Sequence, residues 1–153
     1  MIAFSDDSVG RIVGRLKDLE LDEETVIIFT SDHGDWMGDH GIMQKALLHY
    51  QGIIRVPFIW ADPKDKNPGT VSTELACSQD IPNSILARAG LASCAGMQGK
   101  VLTKMLFGGE FTPHDGILIQ QQTTIPLPGD TQHMRVKTFV DKEWRISYYS
   151  GKD

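Results

Sequence analysis

Six consecutive residues, Thr25-Val26-Ile27-Ile28-Phe29-Thr30, run mostly β-branched and without polar alternation. Successive strand residues face opposite sides, so a half-exposed strand alternates apolar with polar side chains. An unbroken apolar run reads instead as a strand covered on both faces, as in a parallel sheet under helices. That points to an α/β fold, and the flanking patterns agree. Val9, Ile12, Val13, Leu16 and Leu19 recur at three- and four-residue steps, which predicts an amphipathic helix over 6–20. Asp6 and Asp7 suit the positive end of its dipole, and Asp22-Glu23-Glu24 closes it. Val56 to Trp60 predicts a second short strand, with Pro57 at an edge or near its start. Residues 61–70 read as a surface loop. Asp80 is placed to cap a helix over 81–89, with Pro82 in the first turn and Gly90 as the stop. A short helix is expected near 100–107, ended by Gly108-Gly109. Beyond 116 the pattern changes. Residues 117–119, 134–140 and 143–149 read as strands, with Asp141-Lys142 turning the last two into an antiparallel hairpin, and 120–132 reads as an irregular loop. The expected organisation is an α/β portion over 1–109, a weak break around 108–115, and a small antiparallel part over 110–153. The first hundred residues offer only two candidate buried strands, and the first calls for neighbours on both sides, so its sheet is expected to continue in sequence outside these residues.

Composition narrows the function classes. The chain has 153 residues, a length that suits one domain, and 41% hydrophobic with 23% charged residues is ordinary for a soluble globular chain. No apolar run approaches the ~20 residues of a membrane helix, and Met1 to Asp7 lacks the pattern of a signal peptide. Lys+Arg 15 against Asp+Glu 20 gives a net charge of −5 with no basic cluster, which argues against nucleic acid. Cys77 and Cys94 have no metal-finger spacing. These features leave the compartment unspecified.

Chemistry concentrates in Ser31-Asp32-His33-Gly34-Asp35-Trp36-Met37-Gly38-Asp39-His40-Gly41, at the carboxyl end of the predicted buried strand. Open α/β sheets place their ligand crevice there. Aspartate with neutral imidazole makes a borderline-to-hard metal site. The same Asp-Gly and His-Gly pairs are also ordinary turn chemistry, and composition alone leaves both readings open. Adjacent Asp32 and His33 can meet one ion only where the backbone bends, since strand neighbours diverge.

The stretch from Thr25 to Pro63 resembles the type I sulfatases of the alkaline phosphatase superfamily, in the branch of choline-sulfatase-like enzymes and phosphonate monoester hydrolases. The residues that carry the resemblance are Thr30-Ser31-Asp32-His33-Gly34, Gly38-Asp39-His40-Gly41, Lys45, and Arg55-Val56-Pro57. Weaker similarity continues through Ser5 to Gly14, Gln79-Asp80-Ile81-Pro82 to Leu91, Gln98 to Leu102, and Arg135 to Ile146, with Arg145 where lysine is usual. The resemblance implies part of an alkaline-phosphatase-like parallel sheet flanked by helices. It implies a hydrolase of sulfuric esters acting on a small sulfate ester. The alternatives are a phosphonate or phosphate ester hydrolase, because both substrates are tetrahedral anions, and a truncated, non-catalytic product. Asp32 and His33 would ligate one divalent cation, Ca2+ or alternatively Mn2+ or Mg2+. Lys45 would contact the sulfate or the leaving oxygen, in a catalytic and substrate-binding role. His40, with Asp39, would line the substrate pocket, against an alternative as a loop histidine capping a turn. Asp35 reads as a solvated or capping residue, Arg55 as structural and His49 as a surface residue. Trp36 and Met37 are either pocket wall or packing.

The family's nucleophile, a cysteine in Cys-x-Pro-Ser-Arg that becomes formylglycine, has no counterpart here: Cys77 lies in Cys-Ser-Gln-Asp-Ile and Cys94 in Cys-Ala-Gly-Met-Gln. The family's N-terminal metal carboxylates and its C-terminal Glu-Leu-Tyr-Asp-Leu are also absent. The chain is therefore expected to be a carboxyl-side fragment lacking an N-terminal half, without turnover alone and prone to self-association.

Overall fold

The structure is a computed structural model that describes residues 2–45, 47–122 and 133–150. The chain divides into two compact units, Met1–Ser31 with Pro57–Gly69, and Asp32–Val56 with Thr70–Asp153.

The first unit holds one helix and a strand pair. Helix α1 spans Ile2–Asp18 and buries none of its residues. Its C-terminus closes by Leu21 N–H donating to the Leu16 carbonyl (3.0 Å) and Glu20 N–H to that of Lys17 (2.9 Å), with Glu20 in the left-handed region at φ 55. The helix starts four residues earlier than its periodicity predicts. Its first turn is therefore Ile2-Ala3-Phe4-Ser5 and carries no acid, and Asp6 and Asp7 fall in the second turn, where the dipole interaction fades. Strand β1 (Ile27–Thr30) pairs with β2 (Phe58–Ala61). The register sets Ile27 against Ala61 and Thr30 against Phe58, and the pair is antiparallel. This corrects the expected parallel arrangement of a strand covered on both faces. Among the described residues β2 is β1's one neighbour, and the pair leaves Phe29, Thr30, Phe58 and Ile59 exposed. The unbroken apolar run reports a capacity for burial on both sides that these two strands do not fulfil. Pro57 immediately precedes β2, where it removes no ladder hydrogen bond.

The second unit contains the remaining elements: α2 (Gln51–Ile54), α3 (Asp80–Arg88), α4 (Thr103–Leu106), and strands β3 (Ile117–Gln122), β4 (Arg135–Val140) and β5 (Arg145–Ser150). The strands form one antiparallel sheet in the order β3-β4-β5. β4 alternates cleanly: Val136 and Thr138 are fully buried while Arg135, Lys137 and Phe139 face out. Asp141 shapes the β4–β5 hairpin. Its carboxylate accepts the N–H groups of Glu143 (2.7 Å) and Trp144, and its own N–H donates to the Trp144 carbonyl (3.0 Å). Those two amide bonds, Trp144 first, pull the Asp141 carboxyl below its usual 3.8. The expected irregular loop over 120–132 begins as strand through Gln122, and its residues 123–132 lie outside the described residues.

Helix α3 ends as its sequence predicts. Gly90 sits at φ 74, Leu91 N–H reaches the Leu86 carbonyl (2.8 Å) and Gly90 N–H that of Ala87 (3.1 Å). Its start differs. Asp80 does not cap the helix amides; its carboxylate turns back to the Cys77 N–H (2.8 Å) and across to the Lys100 N–H (2.7 Å). The helix expected near 100–107 shortens to α4, and Ser84 Oγ takes the Leu102 N–H (2.8 Å) just before its first residue. The Lys100 ammonium donates to the Thr112 (2.8 Å) and Pro113 (2.6 Å) carbonyls.

Candidate functional site

Residues 32–45 form the acid- and histidine-rich loop, entirely within the second unit. Its backbone is unusual. Met37 (φ 48), His40 (φ 55) and Gln44 (φ 66) all lie in the left-handed region, which non-glycine residues seldom adopt. A 3-10 turn at Asp39–Gly41 is the loop's one regular piece. Asp35 Oδ1 accepts the Met37 N–H (3.1 Å), so Asp35 caps the turn as expected. The loop is anchored by Gly34 N–H donating to the Ile53 carbonyl of α2 (2.8 Å). Gly34 is needed there, since a methyl on it would overlap the Gly52 carbonyl oxygen.

Asp32 and His33 do meet, and the bend the sequence demanded is present. Asp32 Oδ1 accepts the His33 N–H (2.9 Å), and its Oδ2 lies 3.5 Å from His33 Nε2. His33 Nδ1 is 2.8 Å from the Gly34 carbonyl. A carbonyl only accepts, so Nδ1 carries the proton, and the neutral ring presents its lone pair at Nε2. Lys45 Nζ donates to that Nε2 at 2.9 Å. All three side chains are at least partly open to solvent. An oxygen and a nitrogen 3.5 Å apart match two neighbouring ligands of one cation, since Ca–O bonds of about 2.3–2.6 Å at right angles separate ligand atoms by about 3.3–3.7 Å. The fixed tautomer agrees with ligation through Nε2. Lys45 now occupies the electron pair that a cation would take.

His40 stands in a separate contact set. Its ring lies 5.7 Å from that of Trp36, edge-on, and 4.6 Å from that of Tyr50. Trp36 and Tyr50 meet edge to face at 5.0 Å, and the Arg145 guanidinium sits 4.9 Å over Tyr50. Trp36 is 1% exposed and packs, whereas Met37 is exposed. His49 corrects its surface assignment. It is 4% exposed, with Nδ1 2.9 Å from Thr138 Oγ1 and Nε2 3.1 Å from Gln121 Oε1. Thr138 Oγ1 continues to Ser147 Oγ (2.8 Å). This polar chain, buried at His49 and Thr138, ties the segment after the loop to β3, β4 and β5. Sequence reasoning missed it because a lone histidine beside leucines carries no periodic signal.

Sequence reasoning also missed a cluster at the start of α3. Cys77, Asp80 and His114 present ligand atoms that all lie within 4.8 Å of one another. Asp80 is fully buried, and His114 Nε2 is 3.0 Å from both of its oxygens. Burial, and next the Asp80 charge, push the Cys77 thiol above its usual 9.0. The Cys-x-x-Asp spacing was readable, but nothing in the sequence brings His114 to it.

A sequence model of the family described as Sulfatase matches residues 1–91. The chain belongs to the sulfatase family. It is 30% identical over 110 residues to an N-acetylglucosamine-6-O-sulfatase of Bacteroides thetaiotaomicron, covering 72% of this chain and 20% of that protein. It is 33% identical over 109 residues to an arylsulfatase of Clostridium perfringens, covering 69% and 22%. Among solved structures, the phosphonate monoester hydrolase of Agrobacterium radiobacter superposes with a TM-score of 0.86 at 26% identity, over 99% of this chain and 32% of that one. The chain thus spans about a fifth of the length of these two sulfatases. The fold is that of alkaline-phosphatase-like sulfatases, and the family generally binds a divalent metal. No described helix is long and apolar enough to cross a membrane. Cys77 faces Asp80 and lies outside the loop, and Cys94 is exposed beside Met97.

Proposed function

We propose that these residues form part of the centre of a sulfuric ester hydrolase, with Asp32 and His33 holding one divalent cation and Lys45 meeting the ester's anionic group. Residues 1–109 belong to the catalytic α/β domain in this reading, and 110–153 to a small C-terminal subdomain. The observation that carries it is the fixed tautomer of His33, with Nε2 3.5 Å from Asp32 Oδ2 and 2.9 Å from Lys45 Nζ. When bound, the cation supplies Lewis-acid polarisation of a sulfuryl oxygen, and Ca2+ suits this donor pair, with Mn2+ or Mg2+ as alternatives. Asp32 contributes negative charge and His33 a neutral nitrogen, so the pair offsets part of a divalent charge without neutralising it. Lys45, released from His33, places a full positive charge where the leaving oxygen gains charge. The exposed rings of His40 and Tyr50, backed by the buried Trp36, offer a wall for the organic part of the ester.

Phosphonate monoester hydrolysis is the second reading. Supporting it is the Agrobacterium enzyme's superposition across nearly the whole chain. Purified chain, freed of metal by chelation, is titrated with CaCl2 and MnCl2 while Tm is followed. A rise in Tm that disappears in both Asp32→Ala and His33→Ala supports the cation site, and no rise with either ion sinks it. The 153-residue chain alone is expected to show no steady hydrolysis of 4-nitrophenyl sulfate. Turnover abolished by Asp32→Ala would overturn the view that the nucleophile must come from elsewhere.

A further inference from the structure

We propose that Cys77, Asp80 and His114 form a second metal site, suited to Zn2+ rather than Ca2+. The donor set decides the ion: thiolate sulfur, imidazole nitrogen and carboxylate oxygen are the ligands zinc takes, whereas calcium takes oxygens. The dimensions agree. Zn–S of about 2.3 Å with Zn–N and Zn–O of about 2.0–2.2 Å put neighbouring ligand atoms of a tetrahedral ion about 3.3–3.6 Å apart. The three ligand atoms lie within 4.8 Å of one another and the Asp80–His114 pair stands at 3.0 Å, so these distances bracket the required ones. Small side-chain rotations close the site around an ion.

The surroundings hold the ligands in place. Asp80 takes one backbone N–H on each oxygen, Cys77 on Oδ2 and Lys100 on Oδ1, which fixes the carboxylate plane. The Lys100 contact depends on Gly99, where a methyl would overlap the Gln79 carbonyl oxygen. The Lys100 side chain meanwhile grips the carbonyls of Thr112 and Pro113, immediately before His114. One lysine thus sets two of the three ligands, and its own charge is held on carbonyls. The His114 side chain is 16% exposed, which leaves a path for an ion. Three protein ligands leave the fourth position for water. On binding, the Cys77 thiol gives up its proton to solvent, and the His114 ring releases its Nε2 proton and keeps one on Nδ1, so that the Nε2 lone pair meets the metal in place of the carboxylate.

The full chain, reduced and stripped with chelator, is titrated with Co2+ and then with Zn2+ against a chromophoric indicator. One equivalent of Co2+ is expected to give a near-ultraviolet thiolate charge-transfer band that Zn2+ bleaches and a large excess of Ca2+ does not. Cys77→Ser is expected to abolish the band and weaken Zn2+ at least tenfold, His114→Gln to weaken Zn2+ at least tenfold, and Cys94→Ser to change neither. Asp32→Ala keeps the cobalt spectrum, so this result stands or falls apart from the ester-hydrolase reading. A second measurement covers variants that fold poorly: in the unmodified chain, Zn2+ is expected to slow iodoacetamide alkylation of Cys77 at least tenfold and leave Cys94 unchanged. Absence of a thiolate band, its survival in Cys77→Ser, or no protection of Cys77 would mean a metal-free hydrogen-bond hub and would overturn the site.

Discussion

His49 shows what one buried polar side chain contributes. Both ring nitrogens have partners, Thr138 and Gln121, and the threonine passes the chain on to Ser147. Truncation removes both bonds and leaves a void beside the fully buried Thr138, which keeps only Ser147, at a cost of about 1–3 kcal/mol. His49→Ala is therefore expected to lower the urea midpoint with little change in slope, and the exposed His40 is the control. The two thiols differ in the same local way. Cys77 is shielded and its pKa lies above 9.0, while Cys94 is exposed. At pH 8 without metal, mass spectrometry is expected to find iodoacetamide on Cys94 well before Cys77. A thiol raised in the folded state stabilises it fully below the unfolded value of 9.0 and loses that contribution as pH climbs through the folded one. Asp141 runs the other way. Its carboxyl is lowered from 3.8, so the hairpin's support is present above that value and fades as pH falls through the lower folded one. Protection of the Glu143 and Trp144 amides, relative to their intrinsic exchange rates, should fall as pH drops below 3.8, and Asp141→Asn should remove that pH dependence.

Elements with strong local signals were legible in the chain's text. The amphipathic period of α1, the Gly90 stop of α3 and the β4–β5 hairpin all read directly, because each depends on residues within a turn or two. The meeting of Asp32, His33 and Lys45 was legible only through a family pattern. Their closeness depends on a loop that turns at Met37, His40 and Gln44, residues without a left-handed preference. Strand direction was not legible, since an apolar run fixes how much a strand can bury and says nothing of its neighbour. The role of Asp80 was misplaced because capping is a contact with the next turn, and its real partners, Lys100 and His114, are 20 and 34 residues away. Close backbone approaches were equally silent. Gly34→Ala drives a methyl into a carbonyl fixed in α2 and is expected to cost about 1–3 kcal/mol and to loosen the loop. Gly116→Ala meets only the ring of the exposed Phe139, which can swing away, and should cost much less. Chemical denaturation of the two variants side by side tests the contrast.

At the scale of the molecule, burial is uneven. Among the described residues, the buried apolar side chains Trp36, Ile53, Leu102 and Val136 all belong to the second unit, while α1 leaves Ile2, Phe4 and Ile12 exposed. A helix stabilised by packing opens rarely, and one without it frays. Hydrogen exchange is expected to be at least tenfold faster in α1 than in β4. The same exposed residues favour association of chains, so sedimentation should show a mass that rises with concentration and falls back in Phe4→Lys with Ile12→Lys.

The burial of Trp36 has an optical consequence. The chain has three tryptophans, and Trp144 is exposed while Trp60 is half-buried. With Trp60 and Trp144 replaced by phenylalanine, the remaining emission comes from the indole inside the loop that carries Asp32, His33 and Lys45. Its wavelength would be short while the loop holds its shape and would lengthen as water reaches the ring. The protein carries its own dye at the place where a cation or an ester would register.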